Sequence, residues 1–125
     1  MKKIISAKNA PSATGPFSQA VECNGILFVS GQVAINPSTG KIVDGGIKEQ
    51  AEQVLLNIKA ILNEAGYELS NVVKSTCLLK NMDDYAVMNE VYSKFFQEDS
   101  PARAAYEVVK LPLNALIEIE TIAMK

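Results

Sequence analysis

The chain has 125 residues, 48% hydrophobic and 21% charged, with a net charge of −2 and no histidine. This is the length and composition of one soluble globular domain, 1–125, with no overall field to gather polyanions. Without histidine there is no Ser-His-Asp triad, no Cys-His pair and no histidine-ligated metal, and two cysteines alone build no structural zinc site.

The basic start "MKKIISAKNA" carries an apolar run of two residues, too short for a secretory signal. No window approaches the roughly 18 apolar residues of a membrane span. Cys23 and Cys77 read as reduced thiols, which makes the expected location cytoplasmic.

In chain order, "KKIIS" (2–6) is a short first strand. "FSQAVECNGILFVSGQV" (17–33) reads as a β-hairpin, because Asn24-Gly25 suits a type I′ turn, whose two central residues need positive φ. "NPSTG" (36–40) is a turn. A helix follows over 47–65, with Ile47, Ala51, Val54, Leu55, Ile58, Ile61, Leu62 and Ala65 on one stripe and Gly66 as its stop. "VVKSTCLLK" (72–80) is a strand. Asn81 or Asp83 caps a second helix over 83–96, with Met88, Val91, Tyr92 and Phe95 inward. "AAYEVVKL" (104–111) and "LIEIETIAM" (116–124) are strands joined near "LPLNA". The order β-β-β-α-β-α-β-β predicts a two-layer α+β fold, with two amphipathic helices on one face of a mixed sheet. The other face then needs a cover, and a partner subunit is the obvious one.

Arg103 is the only arginine among twelve basic residues, and it sits between alanines. Strand alternation puts it on one face with Ala105 and Glu107, and puts Glu118 and Glu120 together on a face of the last strand. A guanidinium holds a carboxylate through two parallel hydrogen bonds, which lysine cannot reproduce. The plainer reading is an ion pair with Glu107, Glu118 or Glu120. A buried pair rarely adds net stability, which leaves room for a ligand. Glu118 or Glu120 is either a solvated strand face or a carboxylate that positions water. Ser30-Gly31 either ends a strand or offers a hydroxyl and an N–H group. "DGGIKEQ" (44–50) precedes a helix and reads as a loop; Cys77 reads as core.

Four stretches, "NAPSATGPFSQAV" (9–21), "LFVSGQV" (27–33), "PARAAYEVVKLP" (101–112) and "IEIETIAM" (117–124), together resemble the RidA (YjgF) family nearly end to end. The resemblance implies a fold like that of the bacterial chorismate mutase and a homotrimer with a cleft at each subunit interface. It implies an imine or enamine deaminase that turns 2-iminobutanoate or 2-iminopropanoate into a 2-keto acid and ammonia, without metal or organic cofactor. By the same resemblance Arg103 clamps the substrate carboxylate, Glu118 orients the attacking water, and Ser30, Gly31 and Asn89 line the cleft. Two positions depart from many family members. Phe17 replaces a tyrosine, and Ala105 replaces a cysteine, so ligand there would meet a ring without a hydroxyl and a backbone without a thiol.

Two rivals share this resemblance. An RNA-cleaving or translation-inhibiting protein expects a basic surface with arginine and aromatic platforms, and this chain has one arginine and no tryptophan. A regulatory module that binds small carboxylates would use the same cleft.

Overall fold

The computed structural model describes residues 1–125. Strands β1 (Lys3–Ile5), β2 (Ala20–Cys23) and β3 (Ile26–Gln32) come first, followed by a small hairpin of β4 (Ile35–Asn36) and β5 (Lys41–Ile42). Helix α1 (Ile47–Glu64), strand β6 (Val72–Leu79), helix α2 (Tyr85–Phe95) and strands β7 (Ala102–Glu107) and β8 (Ile117–Met124) complete the fold. The main sheet has six strands in the order β1-β2-β3-β8-β6-β7. Only β6 and β7 run parallel. It is the mixed sheet with two helices that the patterning predicts, with the β4-β5 hairpin added around the "NPSTG" turn.

The helix and turn signals work as expected. Asn24 and Gly25 have φ of 52° and 76° at the β2-β3 turn. Gly25 is also needed for space, since a Cβ there would lie 2.8 Å from the Lys125 carbonyl oxygen. Helix α1 buries Ala51, Val54, Leu55, Ile58, Ile61 and Leu62, each worth on the order of 1–3 kcal/mol against exposure. It ends in a Schellman motif: Gly66 at φ 81° donates to Asn63, and Tyr67 donates to Leu62. The Gly46 N–H, which opens the helix, donates to its own Glu49 side chain at 2.8 Å. That pairs the N-cap N–H within the chain; of "DGGIKEQ" only residues 44–46 are loop, and 47–50 already form the first turn of α1.

Three boundaries differ from the sequence reading. Residues 17–19 lie outside β2, in the loop that leads into it. The second helix starts at Tyr85 behind a 3-10 turn, Met82–Asp84, capped by the Asn81 side chain accepting from the Asp83 N–H. Strand β7 covers 102–107 instead of 104–111, because its partner β6 ends at Leu79. Beyond that point Val108 makes one bond to the Leu79 carbonyl, and Val109 is fully exposed. On α2, Phe96 is buried and Phe95 only partly so.

Both helices lie on one face. Ile117, Ile119, Thr121 and Ala123 of β8 are buried beneath them, and the alternate positions face out. The pairings Val21↔Phe28, Phe28↔Ile122 and Leu78↔Glu118 assign the same outward face to β2, β3 and β6. Phe28, Tyr106 and Met124 are about half exposed there. No helix is long and apolar enough to cross a membrane.

Three buried amides, which periodicity does not flag, stitch loops to this frame. Asn57 donates to the Ile35 carbonyl at 3.0 Å, and Gln50 accepts from Leu116 N–H at 2.9 Å. Gln19 accepts from the Ala7 N–H at 2.6 Å and donates to the Ala7 and Pro11 carbonyls at 3.2 and 2.8 Å. It thereby folds residues 7–19 back onto β3. Truncating it strands buried backbone groups, each costing about 1–3 kcal/mol. Gln19→Ala should therefore lose a few kcal/mol of unfolding free energy in urea while helix content by circular dichroism stays the same. An unchanged midpoint would mean that water replaces the amide at no cost.

Candidate functional site

The predicted site residues fall into two groups, on opposite faces of the sheet. Arg103 stands opposite Ser75, Ala105 opposite Cys77 and Glu107 opposite Leu79 in the parallel β6-β7 pair. Ser75, Cys77 and Leu79 are buried under the helices, so Arg103, Ala105 and Glu107 share the helix-covered face at the sheet edge. Glu118 stands opposite Leu78 and therefore points the other way.

The first group surrounds Arg103. Its Nη2 donates to the Tyr85 hydroxyl at 2.9 Å. Its guanidinium carbon lies 4.9 Å from the centre of the Tyr92 ring and 5.5 Å from that of Tyr85. The space beside the alanines is thus filled by two rings of α2. Glu107, one of the proposed ion-pair partners, spends its carboxylate on the Met82 N–H at 2.9 Å. A cleft of about 450 Å³ opens beside the guanidinium, lined by Asn89, Tyr92, Ser93, Ser100, Pro101 and Arg103. Asn89 Oδ1 is buried there with no hydrogen-bond partner, an unusual state for a buried acceptor. The Tyr92 hydroxyl donates to Ser75 Oγ at 3.0 Å. Burial raises the Tyr92 pKa, against the opposing pull of Ser75 and Arg103.

The second group surrounds Glu118. It shares a cleft of about 350 Å³ with Phe17, Gly31, Gln32, Pro112 and Leu113. Burial pushes the Glu118 carboxyl above the usual carboxylate range, and the charge of Glu120 pushes it further in the same direction. Its carboxylate lies across the Gly31 backbone: a Cβ there would sit 2.9 Å from Glu118 Cδ. A β-bulge in β3 between Val29 and Gln32 brings that glycine into place. Ser30 is tied away from the cleft, its hydroxyl donating to the Ser18 carbonyl at 2.6 Å and its N–H to that of Gln19 at 2.9 Å.

Sequence reasoning missed Tyr85, Tyr92 and Gln32. Tyr92 has the periodicity of a core residue and its ring is buried, but one side faces the guanidinium. Tyr85 gave no signal, being an exposed aromatic at a helix start. Of the thiols, burial raises Cys77 to about 11, outweighing the lowering by Arg103. Cys23 is free and partly exposed, next to the β2-β3 turn.

The sequence model of the endoribonuclease L-PSP family matches residues 7–125. The chain belongs to this family, the RidA (YjgF) family. It is 55% identical over 125 residues to a RutC family protein of Pyrococcus horikoshii, covering 100% of this chain and 99% of that one. It is 47% identical over 125 residues to the mouse 2-iminobutanoate/2-iminopropanoate deaminase, covering 100% of this chain and 93% of the relative. Among solved structures, Escherichia coli TdcF with bound serine superposes with a TM-score of 0.94 at 38% identity, over 98% of each chain. The RidA-family fold is therefore shared almost end to end.

Within this RidA-family cleft, Gly31 is the residue the geometry tolerates least. Gly31→Ala should turn the Glu118 carboxylate off the β3 backbone with little loss of stability, because that group is the free end of a flexible side chain. A crystal structure of the variant with Glu118 unmoved would refute the contact.

Proposed function

We propose that the chain hydrolyses 2-imino acids, or their enamine tautomers, to 2-keto acids and ammonia in a cleft between two copies of itself. The observation that carries this reading is the division of one chemical toolkit between two faces. Arg103 and Asn89 form an anion-binding corner without a base. Phe17, Gly31 and Glu118 form a partly desolvated carboxylate site without a cation. Each lacks what the other holds. The outward sheet face, with Phe28, Tyr106 and Met124 exposed, supports association, since exposed apolar patches mark interfaces. A closed homotrimer would set the Arg103 corner of one subunit against the Glu118 cleft of the next.

The chemistry needs positioning more than power. Arg103 holds the substrate carboxylate, which fixes the adjacent C=N carbon. Glu118 accepts a proton from water as the oxygen attacks that carbon, and the nitrogen takes up a proton. The hydroxyl of the tetrahedral adduct then gives up its proton, the nitrogen gains that second proton through Glu118, and cleavage of the C–N bond expels ammonia and leaves the keto group. A carboxylate raised by burial suits this exchange, because its basicity lies nearer neutral pH. Phe17 contributes an apolar ring to the wall beside Glu118. The name of the mouse relative, a 2-iminobutanoate/2-iminopropanoate deaminase at 47% identity, supports this substrate class.

The test generates 2-iminobutanoate from threonine with a dehydratase and follows keto-acid release. Arg103→Ala should lower kcat/KM by about 30- to 5000-fold, equivalent to roughly 2–5 kcal/mol, and Arg103→Lys nearly as much. Sedimentation should stay as in the parent protein, and the melting temperature should fall by only a few degrees, as the contacts of the guanidinium with Tyr85 and Tyr92 are lost. Near-full activity of Arg103→Lys would dismiss the fork, and wild-type protein that binds keto acids without turnover would make the chain a carboxylate-binding module instead.

The pH dependence follows from Glu118. The ionised form is the base, so activity rises with pH through its pKa. Because burial raises that pKa, the acid limb of kcat/KM should inflect above the range of an exposed glutamate. Glu118→Gln should lose most activity and the acid limb with it. Retention of the limb in that variant would assign it to another group.

A further inference from the structure

The Arg103 corner contains a second group suited to an anion. The Tyr85 hydroxyl accepts from Arg103 Nη2 at 2.9 Å, and this is the one hydrogen bond it makes within the chain. Its own proton is therefore uncommitted. The other phenol in contact with the guanidinium differs, since Tyr92 gives its proton to Ser75. Asn89, one helical turn after Tyr85, does not take the proton either, because its Oδ1 has no hydrogen-bond partner.

Tyr85 is also held in place. It is the first residue of α2. The 3-10 turn before it is pinned by the Met82 N–H donating to Glu107 at 2.9 Å and by the Asp83 N–H donating to Asn81 at 2.8 Å. Glu107 lies on the same strand and face as Arg103, so one strand fixes both the guanidinium and the phenol above it. A phenol that accepts from a cation is a better donor, because successive hydrogen bonds polarise one another.

We propose that Tyr85 is a substrate-binding residue whose hydroxyl accepts from Arg103 and donates to the carboxylate that Arg103 holds. This rests on the reading of Arg103 as the carboxylate clamp and adds a third donor to its fork. It makes the corner selective for a charged carboxylate over a neutral amide, since both guanidinium and polarised phenol point donors at the same group.

The experiment is calorimetric titration of the full protein with 2-oxobutanoate and with 2-oxobutanamide, for wild type and Tyr85→Phe. The variant keeps the ring and removes only the hydroxyl. Affinity for 2-oxobutanoate should fall roughly 10-fold, affinity for the amide should change little, and the melting temperature should stay the same. In turnover of 2-iminobutanoate the loss should appear in KM with kcat nearly unchanged, because the contact serves ground state and transition state alike. A merely structural residue would not separate the two ligands in this way. Unchanged or tighter binding of 2-oxobutanoate by Tyr85→Phe would overturn the proposal, as would its failure to bind wild type. A crystal structure of the wild-type complex gives an independent measure: Tyr85 Oη should lie about 2.7 Å from a carboxylate oxygen, and a phenol turned away refutes it. If wild type binds 2-oxobutanoate through Tyr85 but hydrolyses no imine, the deaminase reading fails and the binding role of Tyr85 stands. If imine hydrolysis proceeds and Tyr85→Phe equals wild type, the reverse holds.

Discussion

Two helices cover one face of a six-stranded sheet, and the placement of every candidate group depends on which face its residue meets. The apolar stripe of α1 supplies most of that cover. Val54, Leu55, Ile58, Ile61 and Leu62 are fully buried against the inner positions of β3 and β8. The alternation of β8 then leaves no choice: once Ile117 and Ile119 are inside, Glu118 and Glu120 are outside. A one-residue slip would bury two carboxylates and expose two isoleucines, a cost of many kcal/mol.

The same constraint acts differently on β7. Its parallel register with β6 turns Arg103 inward, toward α2, while Glu118 looks outward two strands away. Close to the guanidinium the structure offers aromatic faces and one hydroxyl. Cation–π contacts of this kind contribute about 0.5–2 kcal/mol each, too little to explain a charge at the sheet edge by stability alone. The field of Arg103 is also modest against burial. At Cys77 desolvation wins and raises the thiol to about 11, so burial outweighs the neighbouring cation and keeps this core cysteine in its thiol form.

Loops carry the remaining lining, and buried amides set the loops. Gln19 holds residues 7–11 and thereby the segment with Phe17. Asn57 holds Ile35, and Gln50 holds Leu116 just before Glu118. Leu113 adopts φ 58° within the turn that closes this cleft, a conformation non-glycine residues rarely take. These are hydrogen bonds and a turn between segments far apart in sequence, none of them periodic.

The sequence by itself determined the local elements. The Asn24-Gly25 turn, the α1 stripe with its Gly66 stop, and the strand alternation of 117–124 all depend on near neighbours, where propensity and periodicity act directly. It also carried the family resemblance, with Arg103 and Glu118 as its marked charges. Only the tertiary structure decided where β7 stops, since Val108 and Val109 are good strand formers left without a partner beyond Leu79. Only it placed Arg103 and Glu118 on opposite faces, because strand order and parallel register are properties of the assembled sheet. Tyr85 belongs to the same class: its contact with Arg103 spans 18 residues of chain and exists because α2 crosses the strand edge at one particular height.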